Sequence, residues 1–163
     1  MRARSARVVR LIVCGERRRG DDAAAFLAVD ALPHEVLDLV ELVTAGMLDA
    51  DALTSLDADA AVVIVDAAVG VEPGAIVVLP IEAIASAGGP MPHSSHALPI
   101  DQVLGLVRVL RDGLPEGVFV GVGVASFEVG ASLSPAVTSA MPAYAEAIAT
   151  EVRRLAGAPA MRS

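Results

Sequence analysis

RVVRLIVCGERRRGDDAAAF, residues 7–26, decides the fold. Arg7–Cys14 is an apolar run of strand length. Gly15, three arginines and Gly20 follow, and Asp21 and Asp22 open an alanine-rich helical pattern. A buried strand that turns directly into a helix is the building unit of an α/β protein. The junction also poses the functional question. The two glycines have the spacing of a phosphate-binding loop, G-x-x-x-x-G, but that loop continues with Lys and then Ser or Thr. Here two carboxylates follow, and they would repel a phosphate. No close G-x-x-G pattern follows Gly15, so no nucleotide is expected. The loop suits a cation or an electropositive partner.

Outward from this stretch, strand-length apolar runs alternate with helical patterns. Asp22–Leu32 reads as a helix with Phe26 and Val29 inward, Val36–Val43 as a second strand, and Gly46–Leu56 as a helix. Ala61–Val65 (AVVIV) and Ala75–Leu79 (AIVVL) are strands, the latter after Glu-Pro-Gly turn chemistry. Ser86–Pro99 is a Gly-, Pro- and Ser-rich loop. In Ile100–Leu110, residues Ile100, Val103, Leu104, Val107 and Leu110 recur at the helical period. Val118–Val124 is a further strand. Ser134-Pro135 opens the last helix as N-cap and first-turn proline. Its apolar stripe is Val137, Met141, Tyr144, Ile148, Val152 and Leu155, with a kink expected at Pro142. The expectation is a single-domain three-layer α/β sandwich over residues 1–156, with a mostly parallel twisted sheet of about five strands and helices on both faces. Residues 157–163 are expected to be a flexible tail.

Composition narrows the function. The chain has 163 residues, 55% hydrophobic but only 2% aromatic, so the core must be aliphatic. All 12 basic residues are arginine, and the net charge is −8. Nucleic acid and anionic membrane surfaces attract basic stripes, so neither is an expected partner. The apolar runs are too short to span a bilayer. The opening MRARSARVVRLIVCG lacks the longer apolar region and cleavage site of a signal peptide. One cysteine, Cys14, excludes an internal disulfide, and a reducing cytoplasm is the expected setting. A monomer is expected, because no long exposed apolar face is evident.

In parallel α/β sheets, ligands bind beyond the carboxyl ends of the strands. The chemistry-bearing residues there are Asp22 after the first strand, Asp66 at the end of the AVVIV run, and His93 and His96 in PHSSHALPI. Aspartates also serve as helix caps and turn residues. Asp21 is expected to cap its own helix, which leaves Asp22 as the candidate. His34 and His93 read as solvated, and His96 stands immediately before a helix. Two carboxylates and an imidazole from three strand ends make a site for a first-row divalent metal. Other chemistries fit less well. Cys14 reads as a small buried hydrophobe. Ser94, Ser95 and His96 are too close in sequence for a catalytic pair. No G-x-S-x-G elbow is present. An Asp22–Asp66 pair sharing one proton would lack the motif of the aspartic proteases.

The order of these motifs resembles the nickel–iron hydrogenase maturation proteases over nearly the whole chain. That family has a strand, Gly-Asn, a few residues and Asp-Asp or Asp-Glu, seen here as Gly15-Glu16-Arg17-Arg18-Arg19-Gly20-Asp21-Asp22. Thr-x-Gly is seen as Thr44-Ala45-Gly46. An apolar strand ending in Asp with a later Pro-Gly turn is VVIVDAAVGVEPGAIVVL. His-x-Leu opening a helix is SSHALPIDQVLGL, and the closing pattern with Glu and Leu-Ser-Pro is VFVGVGVASFEVGASLSP, with Glu128 and Ser134-Pro135. The departures are Glu16 for Asn, Ala23 and Ala25 for usual glycines, and Leu42 and Val43 for the glycines before Thr44.

The resemblance implies an endopeptidase that removes the C-terminal extension of a hydrogenase large-subunit precursor after nickel insertion. It implies metal contacts at Asp22, Asp66 and His96, with Asp22 and Asp66 serving the catalysis. The nickel would be carried by the precursor, and no nucleotide would be needed. The alternative is a checkpoint or chaperone that binds the nickel-loaded precursor without cutting it.

Overall fold

The structure, a computed structural model, describes residues 6–86, 93–94, 100–130 and 132–157. In chain order the elements are β1 (Val9–Cys14), a 3-10 turn (Gly20–Ala23), α1 (Ala24–Asp30), α2 (His34–Leu37), β2 (Val40–Ala45), α3 (Asp51–Thr54), β3 (Ala61–Val69), β4 (Ile76–Pro80), α4 (Ile81–Ser86), β5 (His93–Ser94), α5 (Ile100–Arg111), β6 (Glu116–Gly123) and α6 (Pro135–Gly157). The main strands lie in the order β2-β1-β3-β6-β4. β2, β1, β3 and β6 are mutually parallel, and β4 runs antiparallel to β6. The short β5 pairs antiparallel with the end of β3.

The sheet separates two aliphatic cores, as the expected three layers require. Val9, Leu11, Val13, Val63, Val65, Val120 and Val122 face α1 and α6, against Phe26, Val137, Tyr144, Ile148 and Val152. Ile12, Val62, Ile64 and Phe119 face the opposite way, against Leu53, Ile84, Val103, Leu104 and Val107. The central strands are buried on both faces, which is why they read as continuous apolar runs without polar alternation. No helix among the described residues is long and apolar enough to cross a membrane.

Several boundaries differ from the sequence reading. Residues 36 and 37, read as strand, belong to α2; Val36 and Leu37 both donate to the Pro33 carbonyl, and Leu39 donates to Val36. Apolar positions 36, 39, 40 and 43 fit a helical period as well as a strand, so the pattern was ambiguous there. The helix read over Gly46–Leu56 shrinks to α3, and the Asp49 carboxylate just before it accepts the Ala52 N–H. α4 falls almost wholly in a stretch to which the sequence reading assigned no element, and β5 falls in the loop read over Ser86–Pro99. Leu110 was placed inward but is 63% exposed. At 3.6 residues per turn, position 111 lies nearer the centre of the inward face, and Arg111 there donates to the Leu53 and Leu56 carbonyls. α6 runs as one element through Pro142 and includes Gly157, which the reading had placed in the tail. Residues 158–163 lie outside the described residues.

Candidate functional site

The site forms where β1 ends and β3 continues. β1 pairs with β3 as far as Val13↔Val65. Asp66 is the next residue of β3, so it faces the first gap in the ladder on that side. The sequence placed it at the end of a strand, but β3 runs three residues further, to Val69. On one side Asp66, Ala67 and Ala68 pair with Gly121, Val122 and Gly123 of β6; on the other, Ala68 and Val69 pair with Ser94 and His93. β6 carries this continuation on one edge, and β5 pairs with its last two residues on the other. Gly121, directly opposite Asp66, places no side chain beside the carboxylate.

Asp66 is only 2% exposed. Its Oδ1 accepts the Ala67 N–H at 2.8 Å. Burial pushes its carboxyl well above the ordinary aspartate range; the Ala67 bond works against this, and the negative charge of nearby Asp22 adds to it. On the far face of the sheet, the buried Tyr144 hydroxyl lies 3.2 Å from the main-chain carbonyls of Asp66 and Val120. It therefore braces the strand under Asp66 without touching the carboxylate.

Asp22 is 1% exposed and sits in the 3-10 turn after the arginine loop. Its approach to the end of β1 depends on Gly15. That residue has φ +120°, and a Cβ there would stand 2.3 Å from the Asp22 carbonyl oxygen and 3.3 Å from its Oδ1. The Gly15 N–H donates to the Gly46 carbonyl at 3.1 Å, which ties the Thr44-Ala45-Gly46 motif to the same junction. Cys14 is fully buried, as read from the sequence; burial raises its thiol pKa, and the charges of Asp66, Asp22 and Asp49 raise it further.

Asp21 behaves differently from the sequence reading. It does not cap its own helix; neither the 3-10 turn nor α1 has a side-chain cap. Its Oδ2 accepts the Ala125 N–H (2.8 Å), the Ser126 N–H (3.1 Å) and the Ser134 hydroxyl (2.8 Å), and its Oδ1 accepts the Ser134 N–H (2.7 Å). Four donors of the protein engage both carboxylate oxygens, so Asp21 is committed to holding the loop between β6 and α6. Burial alone would raise its pKa, but the bonds from Ser134, Ala125 and Ser126 outweigh it and hold the carboxyl below the ordinary range. Nothing local could have signalled this role, because the partners lie more than 100 residues away in the chain.

Of the arginines, Arg17 folds back onto Asp30 (2.7 Å) and the Phe26 ring (4.8 Å to the centroid), whereas Arg18 and Arg19 are exposed. Of the expected metal trio, the structure brings Asp22 and Asp66 near each other beside the end of β1. His96 lies outside the described residues, as does the segment joining it to β5. Among the described residues, no group of three or more His, Cys, Asp or Glu side chains is arranged to hold a metal. His34 is exposed, as expected for a solvated residue.

The fold is shared with solved structures. Hydrogenase maturating endopeptidase HybD from E. coli superposes with a TM-score of 0.70 at 24% identity, covering 91% of this chain and 93% of that one. The [NiFe] hydrogenase maturation protease HybD from Thermococcus kodakarensis gives 0.63 at 20% identity, covering 92% and 99%. HycI from the same organism gives 0.63 at 22% identity, covering 91% and 93%. At these identities the likeness establishes the fold alone. No curated protein sequence matches the chain. The family model for HycI, hydrogenase maturation protease, matches residues 27–151, a span that includes Asp66 and His96 and begins just after Asp22. With most of its length matched by that model, the chain belongs to the hydrogenase maturation protease family and so to the peptide-bond hydrolases.

Proposed function

We propose that this chain removes the C-terminal extension of a nickel–iron hydrogenase large-subunit precursor after nickel insertion, and that Asp22, Asp66 and His96 contact the nickel the precursor carries. The observation that carries the reading is the pair of buried carboxylates, Asp22 in the turn after β1 and Asp66 where β3 runs past the end of β1, in a member of this family. Two carboxylates held together out of water repel each other, and a divalent cation relieves both the repulsion and the desolvation. Burial and the Asp22 charge make the Asp66 carboxyl hold a proton more tightly than an ordinary aspartate, and a precursor that brings its own nickel would compete with that proton. Binding would discriminate loaded from unloaded precursor by charge, before any bond is cut.

In the cleavage step the nickel would supply Lewis acidity toward a water or the scissile carbonyl. Asp22 and Asp66 would orient the metal and accept a proton near it. The reading places the protein in the cytoplasm, where the precursor is made.

The test is to mix the protein with nickel-loaded precursor and record intact masses over time, with metal-free precursor as the control. Loss of a C-terminal peptide from the loaded form alone is the expected result, and Asp66→Ala, folded by circular dichroism, should abolish it. Stable binding with no mass change would replace this reading with a non-cleaving checkpoint. Normal processing by Asp66→Ala would remove Asp66 from the site.

A further inference from the structure

We infer that Asp21 is the positioning residue of the site: it clamps the turn that carries Asp22 to the loop between β6 and α6, so that the two loops form one rigid rim. The inference rests on the reading of Asp22 proposed above, but its geometry stands independently. Asp21 reaches both ends of the β6–α6 connection. It accepts from Ala125 and Ser126 where the chain leaves β6, and from the Ser134 N–H and hydroxyl where α6 begins. The main chain reinforces the clamp in both directions. The Asp21 N–H donates to the Ser126 carbonyl at 2.9 Å, and the Gly130 N–H donates to the Arg18 carbonyl at 2.7 Å. Gly20, with φ +54°, permits this approach, since a Cβ there would stand 2.9 Å from the Ser126 oxygen.

The chemistry singles out aspartate at this position. Three donors converge on Oδ2 and one on Oδ1, so both ends of the side chain must accept. An asparagine of the same size places an N–H₂ at one end in either orientation, where it meets a donor. Asp21 and Asp22, adjacent in sequence, thus divide the work. Asp21 is held by the loop between β6 and α6, and its neighbour lies beside Gly15 at the end of β1. The same bonds explain why the Asp-Asp and Leu-Ser-Pro motifs, at opposite ends of the chain, occur together: Ser134 is one of the groups Asp21 holds.

The test uses Asp21→Asn, Ser134→Ala and Ser134→Thr in the full chain, with two readouts. The first is hydrogen exchange of the amides of residues 20–23 and 125–134. Asp21→Asn should accelerate it by about 100-fold while core strands β1 and β3 stay protected; Ser134→Ala should accelerate it less, and Ser134→Thr, which keeps the hydroxyl, should restore it. The second is processing of nickel-loaded precursor. Displacement of a catalytic group by about 1 Å costs on the order of 100-fold, so Asp21→Asn should lose about that in kcat with KM within about threefold. Unchanged exchange in both segments overturns the clamp. Accelerated exchange with unchanged kcat overturns the positioning role. If the wild-type protein cuts no precursor, the proposed function fails, and the exchange readout still decides the clamp. Should Asp21→Asn not fold, Ser134→Ala carries the same comparison with one bond removed.

Discussion

Gly15→Ala places a methyl group where the chain passes Asp22, and its cost can be worked from the geometry. The backbone at φ +120° lies in a region closed to residues with a Cβ, a strain of about 1–3 kcal/mol. The added Cβ would stand 2.3 Å from the Asp22 carbonyl oxygen, more than 1 Å inside ordinary contact, and that oxygen belongs to the main chain and cannot rotate away. Overpacking of this kind costs about 1–3 kcal/mol more. Together the change should destabilise the fold by about 4 kcal/mol, which in a domain of this size lowers the melting temperature by roughly 10 °C. Gly46→Ala is the matched control. Gly46 is the hydrogen-bond partner of Gly15, yet a Cβ there meets nothing within 4 Å, so the change should stay within about 0.5 kcal/mol. Thermal and urea unfolding of the two variants side by side is the assay. Equal melting of Gly15→Ala and Gly46→Ala would refute the claim that close approach to Asp22 fixes glycine at position 15.

Two further outcomes follow from the same site. In metal-free protein, Asp66 binds its proton more tightly folded than unfolded, because burial, with Asp22 adding, raises its pKa. The native state then holds more protons above about pH 4, so Asp66 costs stability increasingly as pH rises from there through its folded pKa. Asp66→Asn removes that cost and can still accept the Ala67 N–H; its melting temperature should exceed the wild type by a margin that grows from pH 4 toward neutrality, and a constant or shrinking margin would count against a raised pKa. Tyr144→Phe removes the hydroxyl shared by the Asp66 and Val120 carbonyls. Loss of one buried hydrogen bond costs about 1–2 kcal/mol, which should appear as a lower urea midpoint with unchanged slope; an unchanged midpoint would show that the hydroxyl braces nothing.

The central strands and the division into layers were legible because their cause is local. Val, Ile and Leu runs buried on both faces announce parallel strands, and the stripe from Val137 to Leu155 announces a packed helix. What misled was also local. Val36–Val43 fits two periods, and the apolar pattern over Gly46–Leu56 does not mark that only Asp51–Thr54 becomes helix.

By itself, the amino-acid sequence determined the strands, the aliphatic two-sided core and the order of motifs that marks the family, because hydrophobic period and turn chemistry act over a few residues. It also offered Asp22 and Asp66 as candidate site residues. Only the tertiary structure decided how each aspartate is held. Asp21 is held by donors more than 100 residues away, Asp66 lies within a strand that β6 pairs past the end of β1, and Gly15 is needed for a backbone that folding brings against it. Those are consequences of non-local packing, where lone pairs, ladder partners and steric space are allotted among segments that do not meet until the chain has folded.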